Sequence, residues 1–182
     1  MPLREGLAFA FDALMGFDLK KDIKLLAAGK IVTGFHIFRA LAIGADVCYS
    51  ARAMMMAIGC IQALECNKNT CPVGVATNNP KLMRGLVVEE KKHRVASFHK
   101  ETIASFVELQ AAAGYRDMEH INRSTVYRRF DTKSATRYDE IYPYVTKGSL
   151  LQKESVPEKW LYDWSLANPQ SFKPLFEEVF EN

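Results

Sequence analysis

Residues 59–80 read GCIQALECNKNTCPVGVATNNP and hold three of the four cysteines of a 182-residue chain, Cys60, Cys66 and Cys71. Their spacing is C-x5-C-x4-C, with Pro72 directly after the last. Iron–sulfur clusters are held by cysteine thiolates, and ferredoxin-type runs often close with Cys-Pro. A cubane with four iron corners wants four protein ligands, so three clustered thiolates suit a 3Fe–4S cluster, which lacks one corner. The C-x2-C pairs of structural zinc are missing. The competing reading is three thiols packed as small hydrophobes, as most free cysteines are. Against it stand Asn67, Lys68 and Asn69, polar residues that a buried helix would not place between two core cysteines.

N-terminal to this loop the chain alternates at short intervals. Leu7, Phe11 and Leu14 recur at i, i+4 and i+7, which predicts a helix over residues 1–16 that Gly16 stops. Residues 23–28 are an apolar run of strand length, ended by Gly29. Thr33-Gly34 opens a second helix, residues 35–43, which Gly44 is placed to close. Residues 46–49 make another short strand. An alanine- and methionine-rich helix over residues 51–63 then leads into the cysteine loop. Met54, Met55 and Met56 read as packing, since methionine fills irregular gaps. Helix, strand, helix, strand at this density predicts βαβ units and a parallel sheet. After the loop, residues 85–114 predict a long amphipathic helix with Val95, Phe98, Thr102, Phe106 and Leu109 inward and Gly114 as its cap. His93 and His99 read as surface or packing residues on it.

Composition bounds the rest. With 48% hydrophobic and 25% charged residues the chain is ordinary globular protein. A complete (β/α)8 barrel takes about 250 residues, more than are present. The net charge of +3 argues for neither nucleic acid nor an anionic membrane. Lys91-Lys92-His93-Arg94 and Arg128-Arg129, the basic runs, read as solvated faces. Arg4 ahead of the apolar residues 7–17 imitates a signal peptide, but Glu5 and Asp12 interrupt it and no small-residue cleavage site follows. No run approaches the ~18 apolar residues of a membrane span. Four cysteines without a signal sequence point to a reducing compartment, the cytoplasm. From Tyr115 onward, Tyr127, Phe130, Tyr138, Tyr142, Tyr144, Trp160, Tyr162 and Trp164 are spread among charges and among Pro143, Pro157, Pro169 and Pro174. That pattern predicts an arm of short helices and turns, anchored by aromatics to a larger body or to another subunit.

If the two strands are the last two of a barrel, its phosphate site falls on the loops after them, Ala28-Gly29-Lys30 and Ser50-Ala51-Arg52. Gly29 would let the backbone approach, N–H groups near Gly29 and Ala51 and the Ser50 hydroxyl would donate, and Lys30 and Arg52 would supply charge. Alone, this pattern is weak and reads first as a strand-to-helix turn without a ligand. Gly29-Lys30 lacks the earlier glycine and following Ser/Thr of a Walker loop, and no G-x-G-x-x-G occurs.

Residues 44–82, GADVCYSARAMMMAIGCIQALECNKNTCPVGVATNNPKL, resemble the C-terminal part of the flavin-binding synthase domain of glutamate synthases. More closely, they resemble the FMN-binding glutamate synthase family. The resemblance runs from about Met1 to about Gly114 and fades beyond. It implies an α/β fold, about the last two βα units of a TIM (β/α)8 barrel, with a mostly helical or irregular C-terminal tail. Residues 1–114, with the cysteine loop 59–80, would belong to the barrel, and residues 115–182 would form an aromatic-rich extension. It further implies that Cys60, Cys66 and Cys71 ligate a 3Fe–4S cluster beside FMN, and that Gly29, Lys30, Ser50, Ala51 and Arg52 receive the FMN phosphate. Cys48, on a strand, is left out of the cluster, since the family uses the later three.

By the same resemblance the intact enzyme is an oxidoreductase of the glutamate synthase type, acting on CH–NH2 donors. It makes glutamate from 2-oxoglutarate and the nitrogen of glutamine or ammonia, reducing 2-iminoglutarate by hydride from reduced FMN. Electrons arrive through the cluster from ferredoxin or from an NAD(P)H-oxidising partner. Nothing here matches the residues that contact the flavin ring and 2-oxoglutarate, so no catalytic residue is assigned. An N-terminal barrel portion or companion subunit is the expected complement. A stand-alone iron–sulfur electron carrier and an inactive truncated remnant are the alternatives.

Overall fold

Residues 1–171 are described in a computed structural model; residues 172–182, Pro174 among them, lie outside the described residues. Helix α1 (Leu3–Gly16) stands where its apolar periodicity places it and buries Leu7 and Ala8. It ends at Gly16, where close packing requires glycine, since a Cβ there would overlap the Leu150 side chain. Then come β1 (Leu26–Ala28), α2 (Gly34–Ile43), β2 (Val47–Tyr49) and α3 (Ala51–Ala57). The two strands pair in parallel, with Leu26 opposite Val47, Ala27 opposite Cys48 and Ala28 opposite Tyr49. The βαβ unit is present, and the fold is mixed α/β.

Local chemistry fixes the ends of α2. Thr33 Oγ1 accepts from the His36 N–H at 3.3 Å, while His36 Nδ1 accepts from Val32 and Thr33 N–H groups at 3.2 and 3.4 Å. This is a capping box with histidine where glutamate is usual. It needs Nδ1 unprotonated, and burial followed by the nearby Arg39 charge holds His36 below the ordinary imidazole range. At the other end Gly44 takes φ +133, and a Cβ would overlap the Phe11 ring. Entry into both strands is tied by Asp46, which accepts from Lys20 Nζ at 2.8 Å and from the Leu25 N–H at 2.7 Å.

Helix α3 ends earlier than its composition predicts. Gly59, Gln62 and Leu64 all have positive φ (106°, 59° and 58°), which no α-helix accommodates. The cysteine loop follows, with a 3-10 turn at Cys66–Lys68 and the short α4 (Pro80–Met83). Helix α5 (Val88–Ala112) turns Val95, Phe98, Thr102, Phe106 and Leu109 inward as predicted. It meets α2 at Gly34, where a Cβ would fall 2.5 Å from the Phe106 backbone nitrogen.

The tail adds an antiparallel hairpin, β3 (Tyr127–Arg129) with β4 (Ala135–Arg137), that its residue pattern does not predict. Helices α6 (Tyr138–Ile141) and α7 (Leu161–Leu166) are short, as expected of the arm. Among the expected anchors, Tyr138 and Trp160 are buried, and Trp160 stacks on Phe9 at 4.7 Å. Tyr127, Phe130, Tyr144 and Tyr162 are exposed instead. Ile121, Val126 and Tyr138 share one core with Leu7, Phe38, Ile43 and Phe106.

The firmest tie between tail and body is ionic. Arg123 is fully buried, with Nη2 3.0 Å from Asp12 Oδ1 and Nη1 donating to Asp12 Oδ2 at 3.2 Å. The guanidinium also donates to the Ile43 and Tyr142 carbonyls at 3.2 and 2.7 Å and lies 4.4 Å from the Tyr144 ring centroid. Burial pushes the Asp12 carboxyl up, against the pull of Arg123. Among the described residues no helix is long and apolar enough to cross a membrane.

Candidate cofactor site

The two faces of the β1–β2 sheet differ. Ala27 and Cys48 turn toward the helices, and burial pushes the Cys48 thiol up, as for a thiol used in packing. Leu26, Val47 and Tyr49 lie on the other face with 49%, 46% and 56% of their surface exposed. An apolar face of a parallel sheet is normally covered. Among the described residues this one is not.

The turns after both strands open on the same side. Gly29 adopts φ +149 and Lys30 φ +54, a left-handed kink that costs a non-glycine residue roughly 1 kcal/mol. The Ser50 hydroxyl donates to the Ile31 carbonyl at 2.7 Å and so ties the second turn to the first. A cavity of about 720 Å3 lies between these turns and the cysteine loop. Gly29, Lys30, Ala51 and Arg52 line it together with Cys60 and Cys66. Its volume is within the range of ligand pockets. Lys30 and Arg52 make no ion pair among the described residues, and no carboxylate lines the cavity, so it favours an anion.

Six of the eight residues singled out by sequence therefore share one cavity. Ser50 and Cys71 do not line it. Ser50 gives its hydroxyl to the turn. Cys71 is buried, and backbone N–H groups, that of Ala76 first, hold its thiol below the ordinary thiol range against the opposing effect of burial, with those of Val73, Val75 and Gly74 adding to the pull. Gly74 makes this turn possible: it takes φ +75, and a Cβ would overlap the Leu82 carbonyl. Asn69 knits the loop from the other side, its Oδ1 accepting from the Asn78 N–H at 2.6 Å. Cys60 Sγ accepts from the Gln62 N–H at 3.4 Å.

Three soft thiol donors on one loop, one of them with its pKa drawn down by backbone N–H groups, fit an iron–sulfur group by their chemistry. They are not preassembled: among the described residues no three metal-ligating side chains are grouped. The paired cations and the small Gly29 and Ala51 fit a phosphate. Sequence reasoning missed Tyr49, Gln62 and Leu64, which also line the cavity. Tyr49 was within reach of strand periodicity, two residues from Val47 on the same face. The positive φ that aims Gln62 and Leu64 has no sequence signal.

Comparison with known proteins adds the following. The conserved region in glutamate synthase matches residues 1–116. The chain is 42% identical over 132 residues to the glutamate synthase large subunit-like protein YerD of Bacillus subtilis, covering 72% of this chain and 25% of that protein. It is 32% identical over 121 residues to the archaeal glutamate synthase [NADPH] of Methanocaldococcus jannaschii, 66% of this chain and 24% of that one. Against the glutamate synthase [NADH] of Saccharomyces cerevisiae it is 26% identical over 162 residues, 88% of this chain and 7% of that protein. The chain thus spans about a quarter of the first two relatives' length.

Proposed function

The chain belongs to the glutamate synthase family, and we propose that its residues 1–114 supply the last two βα units of a (β/α)8 barrel holding FMN and a 3Fe–4S cluster, with residues 115–182 as a C-terminal extension. The observation that carries this reading is the single cavity in which two cations unpaired among the described residues, Lys30 and Arg52, meet two of the three clustered thiols, Cys60 and Cys66. The bare sheet face of Leu26, Val47 and Tyr49 supports the barrel, as inward side chains of an unfinished one would. It counts against a stand-alone electron carrier. The remaining strands come from the same polypeptide or from a companion subunit.

On this reading Lys30 and Arg52 neutralise the FMN phosphate, and Gly29 and Ala51 leave room for it. Ser50 positions the second turn through Ile31 rather than by direct contact. Cys60, Cys66 and Cys71 would be the cluster's ligands, supplying three soft thiolate donors. When bound, the flavin supplies hydride transfer and the cluster single electrons, the chemistry by which the whole enzyme turns 2-oxoglutarate and the nitrogen of glutamine or ammonia into glutamate. The electron donor is ferredoxin or an NAD(P)H-oxidising partner, and the setting is the cytoplasm. No acid, base or substrate clamp is assigned within these residues.

The test uses the chain assembled with the rest of the barrel. Anaerobic reconstitution should give about three irons per chain, as three ligands imply, and an electron-spin-resonance signal in the oxidised state. Cys60→Ser, Cys66→Ser and Cys71→Ser should each abolish it and Cys48→Ser should not. Gly29→Asp should weaken flavin binding, read by fluorescence quenching, by about 3 kcal/mol through lost approach and charge repulsion. Zinc in place of iron, or unchanged flavin affinity in Gly29→Asp, defeats the proposal.

A further inference from the structure

The β3–β4 hairpin lies outside the cofactor site, and the proposed function makes no use of it. Tyr138 N–H donates to the Val126 carbonyl at 2.9 Å and Phe130 N–H to the Ser134 carbonyl at 3.3 Å. In an antiparallel pair bonded and non-bonded positions alternate. Arg128 therefore bonds across to Thr136, and Tyr127 and Arg129 turn their backbone N–H and C=O groups away from β4. Among the described residues it is β4 that packs on the 3-10 turn Arg123–Thr125 and on α6, which leaves β3 as the open edge. An open edge is a template for another strand unless something blunts it.

The side chains on this edge have a definite character. Residues 127–137 carry four cations and one carboxylate. The carboxylate, Asp131, is consumed within the turn, accepting from Lys133 and Ser134 N–H groups at 2.7 Å and from Ser134 Oγ at 2.8 Å. Arg137 is paired with Asp139 at 2.9 Å. Arg129 and Lys133 make no ion pair among the described residues. Arg128 lies 4.9 Å from the Phe130 ring centroid, and Tyr127 and Phe130 are 60% and 56% exposed.

We propose that the β3 edge is a docking site for an extended acidic segment of a partner protein, bound by strand addition. The backbone of Tyr127 and Arg129 would supply two donors and two acceptors at strand spacing, the groups that β-augmentation uses. Arg129 and Lys133 would meet carboxylates, and Phe130, on the face of the strand opposite Arg129, would cover the apolar side chains that alternate with them. Charge complementarity sets the occupant as acidic. The strand spacing of the free backbone groups favours a peptide over nucleic acid, which asks for phosphate contacts along a longer basic track.

The test titrates the full chain into a fluorescein-labelled decapeptide alternating Glu with Val and reads anisotropy. Binding should weaken with salt and fall on the order of tenfold in Arg129→Glu, with Lys133→Glu as the second variant if the first fails to fold. The same peptide N-methylated on alternate residues, which cannot form a ladder, should also lose at least tenfold. Undiminished binding of the N-methylated peptide, equal binding of a Lys–Val decapeptide, or no binding of the acidic one overturns the proposal. So does preferential binding of a single-stranded oligonucleotide, which would reassign the surface to nucleic acid.

Discussion

Arg123→Met should be the most damaging single substitution outside the candidate cofactor site. The guanidinium is fully buried and pairs with Asp12, itself only 4% exposed. Its removal strands a buried carboxylate and leaves the Ile43 and Tyr142 carbonyls without this donor. Breaking one side of a buried pair costs about 3–5 kcal/mol, a large share of the roughly 5–15 kcal/mol by which domains are stable. About half of that cost is the stranded charge, so Asp12→Leu combined with Arg123→Met should recover about that half. The residue of the loss belongs to the carbonyls, at about 1 kcal/mol each. The assay is urea unfolding by pulse proteolysis at low protein concentration, with sites in residues 115–171 scored separately from those in residues 1–114. Because Arg123 ties the tail to the Ile43 end of α2, tail sites should become susceptible at lower urea. A single-variant loss below about 1 kcal/mol, or a double variant no better than the single, would refute the buried-charge argument.

Three further outcomes are expected. The isolated chain should self-associate through its bare sheet face, and Val47→Glu should disperse it; sedimentation velocity showing a wild-type monomer would count against the unfinished-sheet reading. Gly34→Ala should cost about 2 kcal/mol or more, measured by thermal unfolding, because its Cβ would press on the Phe106 backbone 2.5 Å away and α2 must move off α5. Asp46 titrates below the ordinary carboxylate range: burial opposes this, but bonds from Lys20 and the Leu25 N–H outweigh it. A depressed folded pKa means stability that is present above the unfolded value and lost as pH falls through the folded one. Wild type should therefore lose more stability than Asp46→Asn on acidification below about pH 4, and parallel curves for the two would contradict the assignment.

Helices α1 and α5 were legible because each has its own apolar period, and the two strands because each is a short apolar run beside a turn residue. Leu7, Phe11 and Leu14 state one helical face, and Val95, Phe98, Thr102, Phe106 and Leu109 another, before any tertiary contact is known. The cysteine loop was legible for a different reason, the density of thiols among polar residues. What periodicity does not carry is partnership across long separations. Asp12 reads as an interruption of an apolar stretch, and only the fold brings it to Arg123, 111 residues away. The hairpin was hidden for a local reason. Tyr127, Arg128 and Arg129 do not alternate in polarity, and the turn is made by the Asp131 side chain rather than by an Asn-Gly or Asp-Gly pair.

The candidate cofactor site shows both limits at once. Gly29, Lys30, Ala51 and Arg52 follow strands, so knowing the strands places them at the same end of the sheet. The cysteines follow a helix that stops six residues earlier than its alanines and methionines favour, because Gly59, Gln62 and Leu64 turn left-handed. That early stop is what folds Cys60 and Cys66 back onto the strand ends. A helix continued to residue 63 would have carried Cys60 along its own axis, with no reversal to return it to Lys30 and Arg52. The left-handed residues are therefore the physical link between the two halves of the site. Leu64→Gly, which relieves one of them, should leave the loop's course intact, whereas restoring helix by Gly59→Ala should separate the thiols from the cations.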